Sequence, residues 1–294
     1  MPHFPSFQKI SDTEGGFEGT LGAASKFGQS VASLGDFDGD NITDLIVGSH
    51  TLDSVGAVWL LFMNSNDTVK SFQKITSGEG GFRTGTLSSN CHFGSSVALL
   101  GDLNNDGVPD LAVGAQQDPG RRSGGDRVGA MWVLFMNADG TVKTDMMITS
   151  AGEEFSGSLG DRNYFGTSVA PLGDLNGDNR VDMAVGARGD GSGAVWILFM
   201  DSGGTVGSHQ KIADGGAGFS GTLGSRDVFG SSLAALGDFN NDNVIDLVVG
   251  AAGNDDGGLD RGAVWLLFLN SDGTVDSNQK ISYTVGGLGV PLTN

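Results

Sequence analysis

The chain of 294 residues carries 51 glycines, 6 prolines and one cysteine, and its 35 acidic against 16 basic residues give a formal charge of −19. That balance argues against nucleic acid and against an anionic membrane surface as partners, since both would be repelled, and the glycines follow no three-residue period of the collagen kind. Cys91 has no partner for an internal disulfide, and neither the opening MPHFPSFQKI nor any later stretch has the apolar run of a signal peptide or a membrane span, so membrane insertion is not expected.

Self-similarity organises the rest. Phe-Gly pairs begin at Phe27, Phe93, Phe165 and Phe229, spaced by 66, 72 and 64 residues. Residues 1–294 read as one repeat domain, with units at about 11–75, 76–148, 149–212 and 213–281, and 282–294 as the start of a truncated fifth unit or a tail. Taken in chain order, the first unit predicts a strand at SVASL, an Asp-rich loop, and a second strand at DLIVG. A third strand follows at AVWLLFM, then a polar turn at NSNDT and a fourth strand through VKSFQKI. Ala57, Trp59 and Leu61 alternate with Val58, Leu60 and Phe62, so the third strand is apolar on both faces and must be covered on both. Asp-Gly and Asn-Asp turns suit the hairpin that joins strands three and four. Four antiparallel strands per unit, stacked sheet against sheet, predict an all-β fold: a β-propeller of four four-stranded blades. The units differ most between strands two and three. From the first loop aspartate to the glycine of GAVW or GAMW there are 20, 27, 19 and 24 residues, and the inserts Gln116–Arg127 and Gly253–Arg261 are the candidate recognition surfaces.

The four loops are DFDGDNITD, DLNNDGVPD, DLNGDNRVD and DFNNDNVID. Side-chain oxygens recur at positions one, three, five and nine: Asp36, Asp38, Asp40 and Asp44; Asp102, Asn104, Asp106 and Asp110; Asp174, Asn176, Asp178 and Asp182; Asp238, Asn240, Asp242 and Asp246. Position seven, at Ile42, Val108, Arg180 and Val244, offers only its main-chain carbonyl. Calcium takes six to eight oxygens, which alternating side chains around a tight turn can supply, so about four Ca²⁺ are expected, one per unit. Gly or Asn at position six (Asn41, Gly107, Asn179, Asn243) suits a residue with positive φ. An Asp/Asn turn capped by its own side chains is the competing reading of any single loop. Four loops in one register favour the metal, in a structural role joining the first two strands.

Smaller signals are read as architecture. The four tryptophans recur at one strand position, as do Ser30, Ser96, Ser168 and Ser232, and the four histidines are scattered out of register. Every clustered acid is already assigned to a loop, so no active site is legible and the protein is not expected to be an enzyme. Arg188-Gly189-Asp190 is an RGD triplet of a kind that arises by chance in a Gly- and Asp-rich chain.

The segments FGQSVASLGDFDGDNITDLIVGS and FGSSLAALGDFNNDNVIDLVVGA resemble the FG-GAP repeats of the integrin α-chain headpiece and of many bacterial and fungal extracellular proteins. That resemblance implies propeller blades, calcium between the first two strands of each, an extracellular location, and adhesion or the recognition of a protein or glycan ligand. Family propellers usually have seven blades and this chain has four. It also opens with QKISDTEGG (Gln8–Gly16) and closes with QKISYTVGG (Gln279–Gly287), the same phase of the repeat, which leaves one strand surplus to a closed ring. Two further functions are therefore expected as rivals to a binding module: a structural protein that builds an extracellular fibre by exchanging this strand between chains, and an accessory domain of a secreted enzyme.

Overall fold

The computed structural model describes residues 8–120, 126–150, 152 and 154–286. Its strands fall into four sheets of four. The first holds β1 (Ser30–Gly35), β2 (Asp44–Ser49), β3 (Ala57–Met63) and β4 (Val69–Ile75). The second holds β5 (Phe93–Gly101), β6 (Asp110–Ala115), β7 (Ala130–Met136) and β8 (Val142–Ile148). The third holds β9 (Phe165–Gly173), β10 (Asp182–Ala187), β11 (Ala194–Met200) and β12 (Val206–Ile212), and the fourth β13 (Phe229–Gly237), β14 (Asp246–Ala251), β15 (Ala263–Leu269) and β16 (Val275–Ser282). Each sheet is an antiparallel meander in chain order. The arrangement is propeller-like: β1 packs on β5, β5 on β9 and β9 on β13. The small residues Ala32, Ala98, Ala170 and Ala234 of these innermost strands face a shared axial cavity of 280 Å³.

Apolar layers separate the sheets. Val58, Leu60 and Phe62 of β3 meet Trp132, Leu134 and Met136 of β7 in one layer, and the same pattern recurs between β7 and β11 and between β11 and β15. After its fourth strand the chain crosses over to the next sheet and lays a phenylalanine edge-on against that sheet's tryptophan. Phe82 meets Trp132, Phe155 meets Trp196 and Phe219 meets Trp265, with ring centroids 5.2, 5.2 and 5.0 Å apart. Phe17 does the same to Trp59 of the first sheet at 5.2 Å, which buries the tryptophans as the sequence predicts. Edge-to-face pairs of this kind each contribute about 0.5–1.5 kcal/mol beyond their buried area.

The seams themselves are made by backbone. Gly48, Gly114 and Gly186 lie so close to the next sheet that an added Cβ would collide with the carbonyl oxygens of Gly94, Gly166 and Gly230. Those same carbonyls accept hydrogen bonds from the hydroxyls of Ser30, Ser96 and Ser168, at 2.9, 3.0 and 2.7 Å. The recurrent serines are thus seam residues, and the Phe-Gly pair is the element each blade presents to the one before it.

Two expectations meet a limit at the ends of the array. Cover on both faces of the third strand holds for β3, β7 and β11, all fully buried, but β15 is open on one face and Val264 there is 39% exposed. Its counterparts Val58, Met131 and Val195 are fully buried against a following sheet, which β15 does not have among the described residues. Likewise, no packing comparable to that between successive sheets joins β13 to β1 among the described residues. Of the two surplus ends, Gln279–Ser282 completes β16. Gln8–Ser11 belongs to no named strand, although Ile10 packs on the outer face of the first sheet. Residues 287–294 of the expected fifth unit or tail lie outside the described residues.

Because the seam tolerates no side chain, Gly114→Ala is expected to lower unfolding stability by about 1–3 kcal/mol. Ser96→Ala, which removes only the hydroxyl's bond across the same seam, should cost about 1 kcal/mol. Chemical denaturation of the two variants beside the parent measures both.

Candidate metal centre

Each Asp-rich loop lies between the first and second strands of its sheet, and its backbone is wound by its own side chains. The position-one carboxylates accept from the amide of position six: Asn41 to Asp36, Gly107 to Asp102, Asn179 to Asp174 and Asn243 to Asp238, at 2.8–2.9 Å. Asp38, Asn104, Asn176 and Asn240 accept from the amide two residues on, at 2.9–3.3 Å. Asp40, Asp106, Asp178 and Asp242 accept from the amides of Ile42, Val108, Arg180 and Val244, at 2.8–3.0 Å. Position six has positive φ in all four loops, at 67, 88, 65 and 69°. Position four is left-handed as well, at Gly39, Asn105, Gly177 and Asn241, with φ of 82, 60, 82 and 64°. The Gly/Asn alternation at this position is the signal in the sequence for a second left-handed residue in each loop.

In the first loop one carboxylate oxygen from each of Asp36, Asp38 and Asp40 lies within 4.8 Å of the others, on the surface. The other three loops carry an asparagine at position three, so an amide oxygen stands where the third carboxylate would be.

Position nine behaves differently. Asp44, Asp110, Asp182 and Asp246 are fully buried. One oxygen of Asp44 accepts from the amide of Phe37 at 3.0 Å and the other from Met63 at 2.9 Å. Asp110 takes Leu103 and Met136, Asp182 takes Leu175 and Met200, and Asp246 takes Phe239 and Leu269, all at 3.0–3.2 Å. This residue therefore braces the loop against the end of the third strand. Burial raises all four carboxyls above the ordinary range, Asp110 and Asp182 to about 6, because desolvation outweighs the two amide bonds that favour the charge.

Cationic side chains already reach some loops. Lys70 of β4 places its ammonium 2.6 Å from Asp38 and 2.5 Å from Asp40, and Lys143 of β8 lies 2.8 Å from Asp106. The corresponding residues of β12 and β16 are Gly207 and Asp276, which bring no positive charge, and Arg180 pairs with Asp178 at 3.3 Å within its own loop. Ile42, Val108 and Val244 turn their side chains onto the apolar layers.

The RGD triplet is tied down. The Arg188 guanidinium lies 4.6 Å from the Tyr164 ring centroid, and Asp190 pairs with Lys211 at 2.7 Å. Of the two inserts, Gln116–Arg127 includes residues 121–125, which lie outside the described residues, whereas Gly253–Arg261 presents Leu259 at 76% exposure. No helix among the described residues is long and apolar enough to cross a membrane.

Comparison with known proteins agrees with this repeat geometry. The FG-GAP repeat signature matches residues 93–134, 165–198 and 229–267, and an FG-GAP-like repeat signature matches 36–113. Among curated proteins, the chain is 34% identical to integrin alpha-3 of Cricetulus griseus over 210 residues, which is 70% of this chain and 18% of that protein. It is 32% identical to integrin alpha-5 of Xenopus laevis over 236 residues, covering 79% of this chain and 20% of the relative. Integrin alpha-6 of Gallus gallus is 33% identical over 231 residues, 79% of this chain and 19% of the relative. The alignments thus span about a fifth of the length of these relatives. Three of the FG-GAP matches begin at Phe93, Phe165 and Phe229 and run through the Asp-rich loop into the third strand, and the chain belongs to the FG-GAP repeat family, of the integrin α-like kind.

Proposed function

We propose that the protein is an extracellular adhesion module whose four Asp-rich loops each hold a calcium ion, and which binds a protein or glycan ligand. The observation that carries the metal is the gathering of Asp36, Asp38 and Asp40 oxygens within 4.8 Å of one another on an exposed loop. Positions one, three and five would hold the ion through side-chain oxygens, position seven through its carbonyl, and position nine through the lone pairs its amide bonds leave free. Bound calcium would neutralise the clustered carboxylates and stabilise the folded form, because the unfolded loop offers no such cage. The integrin α relatives support adhesion and an extracellular setting, and the Gly253–Arg261 insert, with Leu259 exposed, is the surface assigned to the ligand.

Four outcomes test this reading. Calcium at a hundredfold excess over its Kd should add about 2.7 kcal/mol per site, so chelator is expected to lower the melting temperature; an unchanged melting curve would sink the metal. Lys70→Met, which removes the ammonium competing for Asp38 and Asp40, should tighten calcium binding at the first loop in a calorimetric titration. In chelator, stability should fall as pH rises from about 4 to about 6. Over that window folded Asp110 and Asp182 still hold protons that the unfolded chain has released, so the unfolded state gains on every upward step. Calcium should oppose the fall, since it requires those carboxylates ionised. For the ligand, calcium-loaded protein is expected to bind immobilised extracellular-matrix protein or glycan, and Leu259→Asp to weaken that binding about tenfold with an unchanged melting temperature.

A further inference from the structure

Three seams within the chain are built alike. In each, a socket on one sheet receives the Phe-Gly pair of the next. Besides the serine–carbonyl bond, the amides of Phe93, Phe165 and Phe229 donate to the carbonyls of Val55, Val128 and Ser192, at 2.9–3.1 Å. Gly56, Gly129 and Gly193 bridge in parallel to those same phenylalanines.

The fourth sheet carries the same socket, unfilled among the described residues. Ser232 stands in register with Ser30, Ser96 and Ser168 but bonds to no following sheet among the described residues. A Cβ on Gly250, unlike one on Gly48, Gly114 or Gly186, would have as its nearest neighbours Ser231 and Ser232 of its own sheet and no carbonyl of a following one. Where the next Phe-Gly pair would sit there is a cavity of 510 Å³ lined by Ser232, Gly250, Gly262, Val264 and Ile281. The apolar face around it is exposed as well. Phe239 is 59% exposed, whereas its counterparts Phe37, Leu103 and Leu175 are 7, 3 and 5% exposed.

The first sheet carries the matching plug. An added Cβ on Gly94, Gly166 or Gly230 would press on the preceding sheet, yet one on Gly28 would meet nothing within 4 Å. Val31, beside it on β1, is 66% exposed.

We propose that this empty socket receives the Phe27-Gly28 plug of a second copy of the chain, so that the protein self-associates head to tail through a fourth seam of the same construction as the three internal ones. The continuity of the array identifies the occupant: a surface built to take an FG-GAP blade at one end faces away from a blade with a free plug at the other. Such a contact is heterologous, and its rotation decides whether two four-blade arcs close one ring or copies add into a filament.

One segment must yield. The partner's Gln279–Ser282 would occupy the place held by Gln8–Ser11, which repeats its sequence. Gln279–Ser282 is laddered to β15, with Ile281 opposite Val264 and Ser282 opposite Ala263. Gln8–Ile10 belongs to no strand and leaves a cavity of 640 Å³ against Leu45 and Met63, so it is the segment displaced. The charge of −19 on each copy opposes association at long range, but physiological salt screens it beyond about 8 Å while the apolar seam is unaffected.

The test is mass by light scattering on a sizing column at physiological salt with calcium. The 294-residue chain is expected to run at two or more times its 30.1 kDa. Val264→Glu places a charge on the open face and should return the protein to monomer with its β-sheet circular dichroism unchanged. Gly28→Asn fills the plug with a residue that tolerates left-handed φ and should do the same. Each variant keeps the half that the other lacks, so mixing the two should restore a dimer joined by one intact seam. A parent protein that is monomeric at all concentrations, a Val264→Glu variant of parental mass, or a mixture that stays monomeric would overturn the proposal.

Discussion

The contact on which this architecture rests is one of backbone against backbone at the seams between sheets. Glycine faces glycine there because any Cβ would drive into a carbonyl oxygen. The serine hydroxyl that accompanies each pair satisfies the carbonyl brought into this close approach, so that a buried acceptor is not left unpaired. Close approach then lets the third strands interleave their large side chains, and the crossover phenylalanine completes the layer by covering the tryptophan's face. Remove the glycines and the apolar layers lose their spacing, although each sheet would keep its own ladder.

The Asp-rich loops are bound into the same framework through a single residue. Position nine is a buried carboxylate whose two oxygens reach the loop backbone and the last residue of the third strand, so loop shape and sheet are specified together. The outer acids have the opposite environment. Exposed and mutually repelling, they are held in register by amide bonds that run to one oxygen after another around the turn. Lys70 and Lys143 relieve that repulsion in two blades, and no lysine reaches the corresponding loops of the other two. With Arg180 paired to Asp178 in the third loop, the blades are alike in backbone and unlike in electrostatics, and only the fourth loop has no basic partner among the described residues.

An array of identical seams also has an ending problem. The first sheet manages it by folding residues 8–22 over its outer face, where Ile10, Phe17 and Leu21 stand in for part of a preceding blade. The fourth sheet has no such cover among the described residues, and its apolar side chains meet solvent where their counterparts meet a neighbour. Repeat proteins commonly need special terminal units for this reason, and the open face is what distinguishes this arc from a closed ring.

Much was legible in the sequence. Period-two alternation at AVWLLFM, the spacing of the Phe-Gly pairs and the aspartates in one register follow from local chemistry: strands alternate, and a tight loop needs Gly or Asn at fixed places. Four blades, four loops and core tryptophans could therefore be read directly. Other features depended on distance in three dimensions. No local pattern says that Asp44 is buried while Asp36 is exposed, because both are aspartates of one loop and only the packing of β3 separates them. Nor does it say that Arg188 and Asp190 are engaged by Tyr164 and Lys211, residues far away in sequence. By itself the sequence determined the repeat, because each blade's ladder and turn are local. Only the tertiary structure decided that no seam joins β13 to β1 among the described residues, because that depends on how all four sheets pack together, which no single repeat encodes.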